Sequence, residues 1–316
     1  MLLAVLGVVL GLAVLTYAAD QFVVGAARLA TVLRLSTVVI GAVVIGFGTS
    51  APELVVSALA ASQGSLDIAV GNIVGSNVAN LTLVLGIAAL ATPIVVHSKV
   101  LKREAPLSLL SVIAFAILVQ NGLSPVEGTI LATLLVISLS IIVISSRREG
   151  GDEELGAEVE EFLAGGPPST GKEVQRTLLG LLGTLGAAQL LVLSASTIAT
   201  ELGLSEGFIG LTVVAIGTSL PELATAVQAA RKGETDLIIG NLLGSNLFNS
   251  AAVGAVAAFA GAGQVVDPTI TGTGVALMVT VAVVATAFMV TGRRVQRTEG
   301  AVLLAAYVAV LPLLAG

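Results

Sequence analysis

The chain has 316 residues, with 14 Lys and Arg against 20 Asp and Glu, a formal net charge of −6, 56% hydrophobic residues and only 11% charged ones. Soluble domains carry about 25% charged residues, so the composition excludes a cytosolic enzyme and a disordered chain, and so few bases on an acidic chain disfavour nucleic-acid binding. The absence of Cys and the single His, His97, exclude disulfides, thiolate metal sites and His-cluster zinc chemistry.

Apolar runs of about 20 residues between charged or Gly- and Pro-rich breaks read as membrane helices. In chain order they fall at 2–31, 37–62, 67–91, 105–120, 125–146, 175–200, 206–230, 236–260, 269–292 and 299–315. The reading is an all-α polytopic membrane protein with ten transmembrane helices. The first is long for an upright span and is expected to tilt. Met1–Thr16 has no basic n-region, so this helix is expected to be retained rather than cleaved as a signal.

One connection is long. Residues 147–174 form an acidic linker between residues 1–146 and 175–316, with five spans on each side. From Arg147 to Arg176 the chain holds eight of the 20 acids and the Pro167-Pro168 pair. The segment reads as a solvated linker with a short helix at Glu153–Leu163; no EF-hand spacing supports a cation sensor. If the linker is cytoplasmic, every basic residue lies on that side. Arg28 and Arg34 come first, then Lys99, Lys102 and Arg103, then Arg147, Arg148, Lys172 and Arg176, then Arg231 and Lys232, and finally Arg293, Arg294 and Arg297. The loops near Gln63–Leu66, Gln120–Ser124, Glu201–Glu206 and Gly261–Asp267 have none. Lys and Arg bias in short loops sets orientation, which predicts both termini outside.

The two halves repeat. With an offset of 169, GFGTSAPELVVSALAASQGSLDIAVGNIVGSNVAN (Gly46–Asn80) falls on AIGTSLPELATAVQAARKGETDLIIGNLLGSNLFN (Ala215–Asn249) without a gap. Five spans, an odd number, separate the equivalents, so the prediction is two inverted five-helix repeats. Inverted repeats place a substrate site between them near the bilayer midplane, with broken helices supplying ligands. That symmetry suits an alternating-access transporter better than a channel or a receptor.

Glu53 and Glu222 sit about 16 residues into their spans. An ionised carboxylate at that depth costs at least ~2.5–3.5 kcal/mol on insertion scales, and no Lys or Arg occurs at matching depth. A cation site therefore explains the pair better than a hydrogen-bonded protonated core does. Pro52 and Pro221 each remove a backbone donor and break the helix there. The freed carbonyls and the hydroxyls of Thr49, Ser50, Thr218 and Ser219 make an all-oxygen environment, suited to Ca²⁺ and Na⁺ rather than to Zn²⁺ or Cu²⁺. In the G-N-x-x-G-S-N blocks the glycines permit close helix approach. Ser76 and Asn80, like Ser245 and Asn249, are four apart and share one helix face. Asn72 and Asn241 either line the same face or bond helix to helix. Two carboxylates balance one Ca²⁺ or two Na⁺, and such competing occupancy is the physical basis of antiport.

At these residues the chain resembles the Ca²⁺/cation antiporter superfamily, specifically the prokaryotic sodium/calcium exchangers. The resemblance rests on the paired G-T-S-x-P-E and G-N-x-x-G-S-N blocks and extends to the five-plus-five layout. It implies four ion sites around the two glutamates. Glu53 and Glu222 would coordinate Ca²⁺ with the backbone carbonyls of Thr49 and Thr218. Na⁺ would use the same glutamates with Ser50, Ser76, Ser219 and Ser245 and the carbonyls of Gly46 and Ala215. Asn80 and Asn249 would line the central site. Several relatives have Asp where Asn249 stands, so neither a protonatable central residue nor K⁺ coupling carries over. The resemblance also implies that spans one and six slide across the rest, and both contain small residues (Gly25, Ala26, Ala27; Gly186, Ala187, Ala188). Asp20, aligned with Gln189, reads as polar glue, and His97 as a solvated loop residue.

The expected function is thus Na⁺/Ca²⁺ antiport by a non-enzyme without a cofactor, working as a monomer in a prokaryotic plasma membrane. Its substrates are Ca²⁺ and Na⁺, its solvent the lipid bilayer. Ca²⁺/H⁺ antiport on the same fold is the alternative, since facing glutamates also carry protons. A cation channel is disfavoured by one carboxylate per inverted half. An intramembrane enzyme lacks both a Ser/His pair and a hydrolase metal cluster.

Overall fold

The computed structural model describes residues 1–32, 49–96, 101–148, 169–233 and 235–314. Gly46, His97 and the expected Glu153–Leu163 helix lie outside them. The described chain is helical, apart from one two-stranded ribbon and a few bridges.

Helix α1 spans Leu2–Val32 and the shorter α2 spans Ala51–Ser62. Helix α3 covers Leu66–Ala91, α4 Glu104–Leu118 and α5 Pro125–Arg148. After the undescribed linker residues come α6 (Thr170–Leu202), α7 (Glu206–Thr218) and α8 (Leu220–Lys232). Helix α9 starts as Thr235–Phe248 and runs on through a π-turn to Gly254–Ala260; α10 is Ile270–Gly292 and α11 Arg297–Leu314. Among the described residues seven helices are long and apolar enough to cross a membrane. An eighth span results if α7 and α8, bent by 43° at their junction, count as one. Helix α2, at Ala51–Ser62, is shorter than a span, and α11 is not among the candidates, so the ten expected spans are not all seen among the described residues.

Where lipid and core are equally apolar, small residues rather than hydrophobicity choose the packing face. Helices α1 and α6 show this. They run antiparallel along each other: Gly11 meets Leu191, Gly25 meets Thr177, and Arg28 donates to Glu173 at 2.8 Å. A Cβ on Gly180 would lie 2.4 Å from the Phe22 nitrogen, so the two backbones nearly touch. Leu3, Leu6, Val9 and Leu10 point outward, as lipid-facing residues do. Helix α6 begins at Thr170, before the expected 175, because Ser169 accepts the Glu173 N–H and Glu173 is held by Arg28.

Helices α3 and α9 form the enclosed centre. Each carries a π-turn, at Asn80–Val84 and Asn249–Val253, and these coincide under the offset of 169. The helix starts coincide in the same way: Ala51 with Leu220, and Leu66 with Thr235. Single π-turns inside helices are typical of functional positions. Helices α3 and α7 approach backbone to backbone, since a Cβ on Gly75 would lie 2.2 Å from the Leu211 carbonyl. Short ties close the bundle ends. Ile94–Val95 (β1) pairs antiparallel with Arg294–Val295 (β2), Leu123 exchanges backbone hydrogen bonds with Gly263, and Asp67 accepts the Val266 N–H at 2.8 Å.

Candidate cation site

Both broken-helix glutamates lie at the centre. Helices α2 and α8 each begin just after a serine with nearly flat ψ, Ser50 (φ −91°, ψ 11°) and Ser219 (φ −86°, ψ 8°), and each has proline in its first turn. Proline is tolerated there because the first helical N–H groups have no intrahelical partner. The next residues, Glu53 and Glu222, therefore project from the first turn of a new helix, where the dipole favours negative charge. Both are 0% exposed.

Cross-repeat hydrogen bonds bring the expected residues together. Ser219 donates to Glu53 Oε1 at 3.3 Å, so a residue three positions before Glu222 holds the opposite carboxylate. Ser245 donates to Glu222 Oε1 at 3.4 Å, and its hydroxyl lies 3.3 Å from that of Thr49. The remaining oxygens are left over. Glu53 Oε2, Glu222 Oε2, Ser50 Oγ, Ser76 Oγ, Asn80 Oδ1 and Asn249 Oδ1 are buried and have no hydrogen-bond partner among the described residues. Nor does either glutamate form an ion pair with the described bases. Burying one unsatisfied polar group costs about 1–3 kcal/mol, and more for a charge. Two carboxylate oxygens and four neutral ones form a donor set of the kind that a positive, oxygen-preferring ligand satisfies.

The single Thr218 hydroxyl proton is within reach of both Asn72 Oδ1 at 3.1 Å and the Ala215 carbonyl at 3.3 Å. That carbonyl accepts the Ser219 N–H at 3.1 Å. Asn72 donates to Ser57 Oγ at 3.0 Å and to the Glu53 carbonyl at 3.4 Å. Of the two readings open from the sequence, Asn72 thus bonds helix to helix.

The sequence reading passed over Asn77 and Asn246. Asn80 donates to Asn246 Oδ1 at 3.0 Å, Asn246 to the Asn77 carbonyl at 3.3 Å, and Ser250 to Asn77 Oδ1 at 3.3 Å. These bonds tie each π-turn to the segment just before the π-turn of the other helix. The signal was present, since each is the last residue of a G-N-x-x-G-S-N block. A cavity of about 440 Å³ lies beside α1 and reaches Thr49, Pro52, Pro221 and Gln228, with Asp20 on its wall. Asp20 accepts from Gln21, whereas its aligned partner Gln189 accepts from Gln63 at 2.6 Å.

Residues 3–144 and 174–315 match the sodium/calcium exchanger protein family. CaxA of Alkalimonas amylolytica, provisionally named an antiporter, is 41% identical over 313 residues, covering 98% of this chain and 97% of its own. The sodium/calcium exchanger MaX1 of Methanosarcina acetivorans is 29% identical, with 96% of each chain covered. A solved structure of the sodium-calcium exchanger NCX_Mj, soaked with 10 mM Na⁺ and 10 mM Sr²⁺, matches with a TM-score of 0.66 at 32% identity, over 98% of each chain.

Proposed function

The chain belongs to the sodium/calcium exchanger protein family, and from that premise we propose that it exchanges Na⁺ for Ca²⁺ at Glu53 and Glu222 by alternating access. The six unpartnered buried oxygens, two of them from the carboxylates of Glu53 and Glu222, carry this reading. Ca²⁺ would take both glutamates and the Thr49 and Thr218 carbonyls. Na⁺ would be shared among the glutamates, Ser50, Ser76, Ser219 and Ser245, with the Ala215 carbonyl released from Thr218 and Ser219 and with Gly46 in the equivalent position. Asn80 and Asn249 line the centre as neutral groups. One Ca²⁺ or two Na⁺ neutralise the two charges, whereas the empty site retains both and resists crossing. That inequality couples the two fluxes.

The scaffold for this exchange is ten helices in two inverted halves, residues 1–146 and 175–316, joined by a cytoplasmic linker at 147–174. The antiparallel course of α1 and α6, equivalent helices under the repeat, supports the inversion. Both termini then face outward from a prokaryotic plasma membrane, and the monomer is the working unit.

Proteoliposomes loaded with Na⁺ and supplied with ⁴⁵Ca²⁺ test the reading against K⁺-loaded and pH-gradient controls. Uptake is expected only with the Na⁺ gradient. Uptake that follows the pH gradient and ignores Na⁺ would establish Ca²⁺/H⁺ antiport instead. Glu53→Gln and Glu222→Gln each remove half the counter-charge and are expected to cut uptake at least about 100-fold, on the scale of a buried charged contact of roughly 3 kcal/mol. Undiminished uptake in either variant would place the site elsewhere.

A further inference from the structure

The two halves hold their equivalent asparagines differently. Asn72 is fully buried and makes three contacts: its amide nitrogen donates to Ser57 Oγ and to the Glu53 carbonyl, and its Oδ1 accepts from Thr218. It therefore ties a first-half broken helix to a second-half one. Under the offset of 169, the mirror clamp would join Asn241 to Thr49, steadied by residue 226. That residue is Ala226, which has no hydroxyl. Asn241 Nδ2 has no partner among the described residues, and Thr49 turns to Ser245 instead. The cavity of about 440 Å³ touches Thr49 and is lined by neither Thr218 nor Asn72. This cavity thus lies beside the threonine whose clamp is missing.

We propose that Asn72 and Asn241 are unequal positioning residues of the cation site, and that the Ser57/Ala226 difference biases the protein toward the arrangement with Thr218 clamped. This rests on the two-half exchange reading above. When access alternates, equivalent contacts in inverted halves trade places, so the opposite arrangement forms the Thr49–Asn241 clamp. Ser57 accepts from the Asn72 amide while donating to the Ala69 carbonyl at 3.2 Å, which presents Oδ1 to Thr218 in advance. Asn241 must give up rotational freedom to do the same, because nothing at Ala226 orients it. One neutral hydrogen bond changes an equilibrium about fivefold, which is about 1 kcal/mol.

The Cys-free chain supplies its own reporter. Gln228→Cys places one thiol on the cavity wall, and its rate of labelling by a membrane-impermeant maleimide follows the open arrangement. Ser57→Ala and Ala226→Ser are each expected to move the ratio of open to closed arrangements about fivefold toward closed. The double variant moves it about 25-fold, and Ser57→Thr, which keeps the hydroxyl, restores the rate. Half-saturating Ca²⁺, measured in right-side-out and inverted vesicles, should rise on one face and fall on the other. Unchanged labelling, faster labelling as from loosened packing, or equal weakening on both faces would each overturn the proposal. Labelling needs no transport, so missing Na⁺-driven uptake with slowed labelling would fail the exchange reading and not this one.

Discussion

At the scale of single residues, the site is defined by what its side chains lack. Asn249 is the extreme case: it is fully buried, and both ends of its amide are without a hydrogen-bond partner among the described residues. Its equivalent Asn80 has Asn246 as an acceptor, but the mirror acceptor, Asn77 Oδ1, is taken by Ser250. The repeat has Leu81 in place of Ser250, so the hydroxyl that donates to Asn77 Oδ1 has no counterpart next to Asn80. Asn249→Asp would put a third carboxylate into this space. Three negative charges exceed what one Ca²⁺ neutralises, so the variant is expected to transport more slowly at neutral pH and recover as added protons neutralise the new acid. Uptake measured from pH 8 to pH 5.5, relative to the parent, checks this; a parallel profile would show that position 249 does not share the ion's field.

Among the helices, backbone proximity is the controlling quantity. Gly180 faces the α1 backbone so closely that a Cβ would sit 2.4 Å from the Phe22 nitrogen, whereas one on Gly186 meets no described atom within 4 Å. Gly180→Leu is therefore expected to force α1 and α6 apart and cost roughly 1–3 kcal/mol or more. Gly186→Leu on the same helix is expected to be nearly neutral. Thermal unfolding of the two detergent-solubilised variants, with Ca²⁺ uptake alongside, distinguishes them; equal losses would contradict this packing. The sequence showed both glycines in the same apolar run. Which one faces a neighbour depends on the rotation of α6 about its axis, and uniform hydrophobicity leaves that rotation unmarked.

For the whole molecule, the proposed site would link binding to stability through the same oxygens. One carboxylate oxygen from each of Glu53 and Glu222 and four neutral oxygens are buried without a partner among the described residues, and a cation bound there would offset that cost. Ca²⁺ at about 100 times its Kd should add about 2.7 kcal/mol by mass action. The melting temperature is accordingly expected to rise with Ca²⁺, and less with Na⁺ at equal charge concentration. Glu53→Gln and Glu222→Gln should abolish the Ca²⁺ shift while melting no lower than the parent without ions, because each removes a buried charge. A Ca²⁺ shift that survives in both variants would mean that the ion acts elsewhere.

Much of this was legible in the residues themselves. The lean charge, the spacing of apolar runs and the 169-residue offset marked a helical membrane protein with a repeated motif, because burial in lipid and internal duplication both leave direct traces in the order of residues. Glu53 and Glu222 stood out for the same reason: a carboxylate in the middle of an apolar run is costly, so its presence there is itself a signal. The repeat, however, treats its halves as equals. That Ser219 serves Glu53 while Ser50 has no partner among the described residues, that Asn72 is clamped while Asn241 Nδ2 has none there, and that the cavity reaches Thr49, were decided by the tertiary structure. Two similar half-sequences need not make the same contacts: Ser57 and Ser250, which take part in hydrogen bonds, have Ala226 and Leu81 as counterparts, and a missing hydroxyl removes a bond that the offset alone would predict.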